Sequence, residues 1–384
     1  MNSVPAAETI RRHGMEGTVI MQSCLMAFIF ISSRLTKGIR LVVKSWFSTE
    51  QLSFAFSIIA ITIATLFSPG KVYSEDEYRV WTGEFLRMGA GARAMGMGNA
   101  YTAVEGDIYS SYFNPAGLAF MKSKQMALSF RYLSMDRKFQ HLVFGSRIGP
   151  DADFAISWIS AGTDDVVGRD LNGIPTGSLS DKPNGFTLTF SKILSERVSV
   201  GLNTKLAYWK LDGDYAKAFG FDLGVLVTPF NNLNASFVIR DINSRFTWKT
   251  KRWAKTFSDS DGQTIEKEDK FPVYWTAGLA YRTYGDKILL AATVENVEDN
   301  PLGLNIGIAY AYNKIFSLRT GMYHYTSFAA FRLRNESDEI DSGALTAGFT
   351  LRITGSMSFD YAYGVNSIEN DNMHIVALVF DYGE

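Results

Sequence analysis

The sequence predicts an all-β transmembrane barrel of about 14 antiparallel strands, with a short N-terminal helical hatch or plug in its lumen. Three observations predict it. From Met126 onward the chain alternates apolar and polar residues, the alternating stretches are even in number, and the connections between them are by turns short and long.

Alternation marks a strand whose two faces meet different surroundings. Val198, Val200, Leu202, Leu206 and Tyr208 alternate with Ser199, Gly201, Asn203, Lys205 and Ala207, and Phe186, Leu188 and Phe190 with Thr187, Thr189 and Ser191. Such segments fall near 126 to 133, 139 to 148, 153 to 161, 185 to 193, 197 to 209, 218 to 228, 233 to 239, 273 to 283, 287 to 296, 302 to 312, 315 to 325, 343 to 353, 356 to 363 and 372 to 382. Every second connection is tiny, as at Leu194 to Glu196, Tyr284 to Asp286 and Thr354-Gly355, whereas Gly162 to Asn184, Ile242 to Pro272 and Thr326 to Ser342 are long. Short turns on one rim and long loops on the other are the outer-membrane pattern, and a soluble β-sandwich has no reason to keep it. Tyr281, Tyr310, Tyr312, Tyr361, Tyr363 and Tyr382 fall near strand ends, where amphipathic rings settle at a membrane interface. The polar faces place Lys205, Asp222, Arg282, Glu295, Arg319, Arg352 and Asp360 inward, and these opposite charges are expected to pair across the lumen, because an unpaired charge away from water is expensive.

Composition excludes several function classes. A net charge of -1 provides no basic face for nucleic acid. Cys24 is the one cysteine, and His13, His141, His324 and His374 are scattered without ligand spacing, so no disulfide, metal site or cofactor is expected. No GxSxG or paired-carboxylate constellation stands out, and the chain does not read as an enzyme.

The N-terminus reads as an address. Leu52 to Phe67 is an uncharged apolar run preceded by Lys37, Arg40 and Lys44 and followed by Ser68, Pro69 and Gly70, then Val72-Tyr73-Ser74. That order is a secretory signal peptide with cleavage expected after Ser74. The organisation is then a leader over 1–74, a hatch over 75–125 and a barrel over 126–384.

Within the second region, Phe85 to Phe120 does not alternate. Ala90, Ala94, Gly98 and Thr102 recur at helical spacing, as do Ala92, Gly96 and Ala100, which predicts a helix with small residues nearly all round that needs tertiary enclosure for its order. Asp107 can cap a second short helix that Asn114-Pro115 ends. Gly89 to Ala94 nominally fits a dinucleotide fingerprint, but no strand precedes it and no βαβ unit follows.

GARAMGMGNAYTAVEGD followed by YFNPAGLA resembles the N-terminal region of the FadL-like outer-membrane superfamily, which includes the PorV/PorQ family. The resemblance implies a hatch that plugs a 14-stranded barrel in the cell outer membrane, with Gly91, Arg93, Gly96, Met97, Gly98 and Asn99 in its helix and Asn114, Pro115 and Ala116 in its box. The last strand, with His374, Val376, Leu378, Phe380 and Tyr382 on one face, resembles the signal read by the barrel-assembly machinery, although Gly383 and Glu384 follow it. Two functions are implied. One is passive uptake of hydrophobic small molecules, with Phe246, Trp248, Trp253 and Phe257 of the largest loop as candidate capture residues; the other is a PorV/PorQ-like interaction protein of type IX secretion that binds exported cargo. Outer-membrane lipid is a partner in either case.

Overall fold

The computed structural model describes residues 82–133, 137–170, 172–211, 214–250, 265–297, 302–323, 344–365 and 372–383. The leader over 1–74, its cleavage site, and Trp253 and Phe257 lie outside these. The described strands are β1 (Lys124–Tyr132), β2 (Lys138–Arg147), β3 (Ala152–Arg169), β4 (Pro175–Asp181), β5 (Asn184–Ser195), β6 (Val198–Leu211), β7 (Asp214–Phe230), β8 (Leu233–Ile242), β9 (Arg245–Thr250), β10 (Ile265–Lys270), β11 (Tyr274–Thr283), β12 (Ile288–Val297), β13 (Gly303–Ala311), β14 (Phe316–Tyr323), β15 (Ala344–Thr354), β16 (Met357–Val365) and β17 (Asn372–Tyr382).

Fourteen of them form a closed antiparallel barrel. Each pairs with its neighbour in the chain apart from the interpolated β4, β9 and β10, and the ring closes where β1 meets β17, from Lys124 opposite Tyr382 to Tyr132 opposite His374. Closure leaves no unpaired edge in the wall.

The alternation decides which face turns inward. On β5, Thr189 and Ser191 are buried while Phe186, Leu188 and Phe190 are about half exposed, and on β6 Ser199 and Asn203 are buried while Leu202 and Leu206 are exposed. This polarity is the reverse of a soluble protein's, and an apolar belt of that kind is stable only against hydrocarbon.

Three strands occupy segments that the sequence reads as loops. β3 and β7 run for 18 and 17 residues, well beyond the roughly 10 needed to cross a bilayer, so their outer halves need partners of their own. β4 pairs with the far half of β3, and β9 with the start of β7, where Tyr215 faces Lys249; β10 completes a hairpin with β9.

Residues 83–121 lie inside the ring. A 3-10 turn (Glu84–Leu86), α1 (Ala92–Gly96), α2 (Ser110–Phe113) and a second 3-10 segment (Pro115–Phe120) follow one another there, with Gly83 against Phe271 at the long-loop end and the Ala116 carbonyl held by Ser199 near a short turn. Wall glycines admit the backbone: Gly201 and Gly224 face Pro115 and Asn114, and Gly307 and Gly321 face Met97. The long helix expected from the spacing of small residues is instead the five-residue α1. It stops because Gly98 and Asn99 take left-handed φ values of 60° and 58°. The small residues serve close approach to the wall.

Candidate functional site

Two arginines of the lumen segment meet buried carboxylates on the wall. Arg87 Nε lies 3.3 Å from Asp241 Oδ2 on β8, and Arg93 Nε lies 2.8 Å from Asp360 Oδ2 on β16. Those strands stand six places apart in a ring of fourteen, close to opposite one another. The chain between Arg87 and Arg93, the second residue of α1, therefore runs from one side of the wall to the other. Gly89 and Gly91, with φ of 80° and 84°, supply its bends; a side chain at Gly91 would meet the ring of Tyr109.

Arg93 is the hub of one polar cluster. Its Nη1 is 2.7 Å from Asp107 Oδ2 and its Nη2 donates to Ser358 Oγ at 2.9 Å. Burial alone would depress the guanidinium's pKa, but Asp360 and Asp107 outweigh it and hold the pKa well above the ordinary arginine value. Thr350 donates to Asp360 and accepts from Arg319 Nη1, which ties β14, β15 and β16 into the same cluster. Asp107 also accepts from the Tyr109 amide at 2.9 Å, capping the turn that leads into α2.

A second cluster surrounds Lys205, whose Nζ is 2.7 Å from Asp222 and 2.9 Å from Asp241. Asn203 links it to the lumen segment by donating to the Ser111 carbonyl and to Asp222. The expectation that the inward charges pair wall to wall across the lumen is therefore corrected. The lumen is filled, so Asp360 pairs with Arg93 and Arg282 with Glu105 (2.7 Å) of the enclosed segment, while Lys205 and Asp222 pair on adjoining strands. Glu295 is half buried on β12. Arg352 shares the inward parity but sits at the exposed end of β15 beside a turn, so its charge reaches solvent and is not a lumen charge.

The other residues singled out in the glycine-rich stretch and the Asn-Pro-Ala box are placed as follows. Gly96 packs on Gly348, Met97 is buried, and the Gly98 amide donates to Thr346 Oγ1 at 3.0 Å. Asn99 lies against Gly89. Asn114 is fully buried, accepts from the Ala116 amide and donates to the carbonyls of Thr102 and Val225. Pro115 lies against Gly201, and the Ala116 carbonyl accepts from Ser199 and Ser191.

At the long-loop end an aromatic cluster covers the lumen segment. Phe246 is fully buried, and its ring lies 5.7 Å from that of Trp209 and 5.1 Å from that of Phe271; Trp248 lies 5.2 Å from Trp209. Ala161, Ala207, Ala216, Ala218, Phe139 and Phe85 belong to the same buried cluster, with Ala216 paired across strands to both Trp209 and Trp248. Trp209, Trp248 and Tyr112 are only partly buried and rim the cluster. Sequence reasoning picked Phe246 and Trp248 but passed over Trp209, Tyr112, Arg131 and Arg240. Parity was the available signal, since Arg131 follows Ala127 and Ser129 on the buried face of β1, and Arg240 follows Val238 on that of β8.

No family model and no curated protein matches the sequence. Solved structures do match. The P. putida toluene transporter TodX is similar at a TM-score of 0.54 and 14% identity, covering 77% of this chain and 99% of that one. The Ralstonia pickettii toluene transporter TbuX gives 0.53 and 13%, over 77% and 98%. A Pseudomonas aeruginosa FadL homologue gives 0.53 and 12%, over 76% and 98%. At such identities the likeness is one of fold, and the fold of this chain is a closed 14-stranded antiparallel barrel like theirs.

Proposed function

We propose that this protein is an outer-membrane barrel for passive uptake of hydrophobic small molecules, with its long loops outside and its short turns in the periplasm. The observation that carries the reading is the aromatic cluster of Trp209, Phe246, Trp248 and Phe271, set at the long-loop mouth directly over a segment that fills the lumen. Apolar pockets with a few polar groups suit such ligands. The structural neighbours named as toluene transporters and as monoaromatic hydrocarbon channels support it. Here the captured molecule leaves water for the aromatic rim, and residues 83–121 act as the hatch it must pass.

The test is uptake of radiolabelled toluene by cells with and without the gene at low external concentration. A several-fold slower uptake on deletion is expected. Unchanged uptake, together with accumulation of an exported protein at the cell surface of the deletion strain, would instead favour the cargo-binding role.

A further inference from the structure

Two lysines on the outside of the wall stand directly above its apolar belt. Lys217 on β7 is exposed between the buried Ala216 and Ala218, and Lys210 on β6 is exposed beside Trp209, whose ring packs inward. Tyr208 faces Lys217 and Lys210 faces Tyr215 across the two strands, so the lysines are diagonal neighbours with an exposed tyrosine beside each. Such diagonal positions lie about 7–8 Å apart, close enough for two flexible ammonium groups to meet one anion. β9 extends the face, with Thr247 opposite Lys217 and Lys249 opposite Tyr215. Below the lysines on the same strands, Leu206, Phe219 and Leu223 are exposed.

The belt ends where the lysines begin. From Val227 to Phe219 the outward face of β7 rises roughly 20 Å, at about 3.3 Å per residue and a tilt of about 40°. That nearly fills an apolar band of about 25 Å and sets Lys217, the next outward residue, at the level of the lipid headgroups, where tyrosine rings also settle. Charge there is not balanced. Lys249 meets Glu266 at 3.0 Å and Arg245 meets Glu268 at 3.1 Å, whereas Lys210 and Lys217 meet no carboxylate among the described residues. Asp181 is turned inward to Trp209 Nε1, and Asp214 has the inward parity of Ala216. Asp212 lies outside the described residues, and the exposed Lys270 opposite Arg245 offsets its charge. Two like charges held as diagonal neighbours repel, and an anion between them relieves that repulsion.

Resting on the placement of the long loops outside the outer membrane, we infer that this face binds the phosphate of an outer-leaflet lipid headgroup, with Lys210 and Lys217 as its cationic ligands and the Tyr208 and Tyr215 hydroxyls as further donors. Lysine, a compact charge on a flexible stem, can follow a mobile headgroup. The same stretches carry Trp209 and Ala216 on their lumen side, so a bound lipid braces the wall directly behind the aromatic cluster.

The test is native mass spectrometry of the purified full barrel in neutral detergent, titrated with phosphatidic acid or with phosphatidylcholine of the same acyl chains. The unaltered protein is expected to retain phosphatidic acid in preference, and the double variant Lys210→Gln with Lys217→Gln to bind it about thirtyfold more weakly, the combined worth of two lysines near an anionic lipid surface. Lys138→Gln, at an exposed lysine on β2, should leave the preference intact. Equal retention of the two lipids by the unaltered protein overturns the inference, and that comparison does not depend on whether a variant folds. A preference that survives in the double variant overturns the assignment to this face. Displacement of the lipid by millimolar inorganic phosphate, or tighter binding of a hexaglutamate peptide, overturns the choice of a lipid as occupant. Phosphatidic acid preference in a barrel whose deletion leaves toluene uptake unchanged supports this inference while removing the uptake reading.

Discussion

Arg93 Nε donates to Asp360 Oδ2 across 2.8 Å, joining positions 267 residues apart in the chain. Arg93 belongs to the enclosed segment and Asp360 to the wall, so this pair fastens one to the other. Asp360→Ala leaves Arg93 with Asp107 as its one carboxylate and removes the acceptor of the Thr350 hydroxyl. Breaking a buried pair costs roughly 3–5 kcal/mol, and with Asp107 retained the lower end is expected. The temperature at which the barrel loses heat-modifiable mobility should fall clearly below that of the unaltered protein; no change would show that the pair does not anchor the segment.

Gly98 is held at φ 60°, and a side chain there would come within 2.5 Å of the Met322 backbone. Gly98→Leu should therefore impair assembly or expel the segment from the lumen. Overpacking of this kind costs roughly 1–3 kcal/mol even where side chains are free to give way, and here backbone blocks it. Limited proteolysis between Arg87 and Arg93 is the readout, and a variant as resistant as the parent would contradict the enclosure.

Trp248 is only partly buried, so Trp248→Ala removes capture surface with little loss of core, whereas Phe246→Ala empties a fully buried site at about 3–5 kcal/mol. The first should slow uptake at low toluene concentration in barrels that remain fully assembled. The second should lower stability as well. Equal uptake by Trp248→Ala and the parent would move the capture site elsewhere.

Leu188 is 52% exposed on the outer face of β5. Placing arginine near the middle of that face costs about 2–4 kcal/mol in a bilayer. Leu188→Arg should reduce folding yield into vesicles, while Leu188→Phe should be neutral. A soluble protein would respond in the opposite order, so the pair reads out which solvent the face meets.

The fourteen wall strands were legible because each alternates on its own. β6 announces its buried Ser199 and Asn203 and its exposed Leu202 and Leu206 without reference to any partner. β4, β9 and β10 were not legible, since PTGSLSD, RFTWKT and IEKEDK are strands only by pairing with the overlong β3 and β7 or with each other. The spacing of Ala90, Ala94 and Gly98 fits a helix equally well as a series of close approaches, and only the left-handed Gly98 and Asn99 decide between them. Half of the candidate site was readable in the same way. Phe246 and Trp248 stand out by type, but Arg131 and Arg240 gain their meaning from the Met88 and Phe113 carbonyls they hold in the enclosed segment, which no single stretch of sequence discloses. Trp253 and Phe257 lie outside the described residues.

The enclosed segment precedes β1 in the chain, yet the last seam of the wall is β1 against β17. Order of synthesis and order of enclosure therefore run against each other: residues 83–121 leave the ribosome first but gain their surroundings only when the final strand arrives. Until that seam shuts, Arg93 has Asp107 but not Asp360, and the serines that hold the Ala116 carbonyl stand on a sheet with open ends. A change in the glycine-rich stretch is therefore expected to be felt as slow closure before it is felt as altered passage.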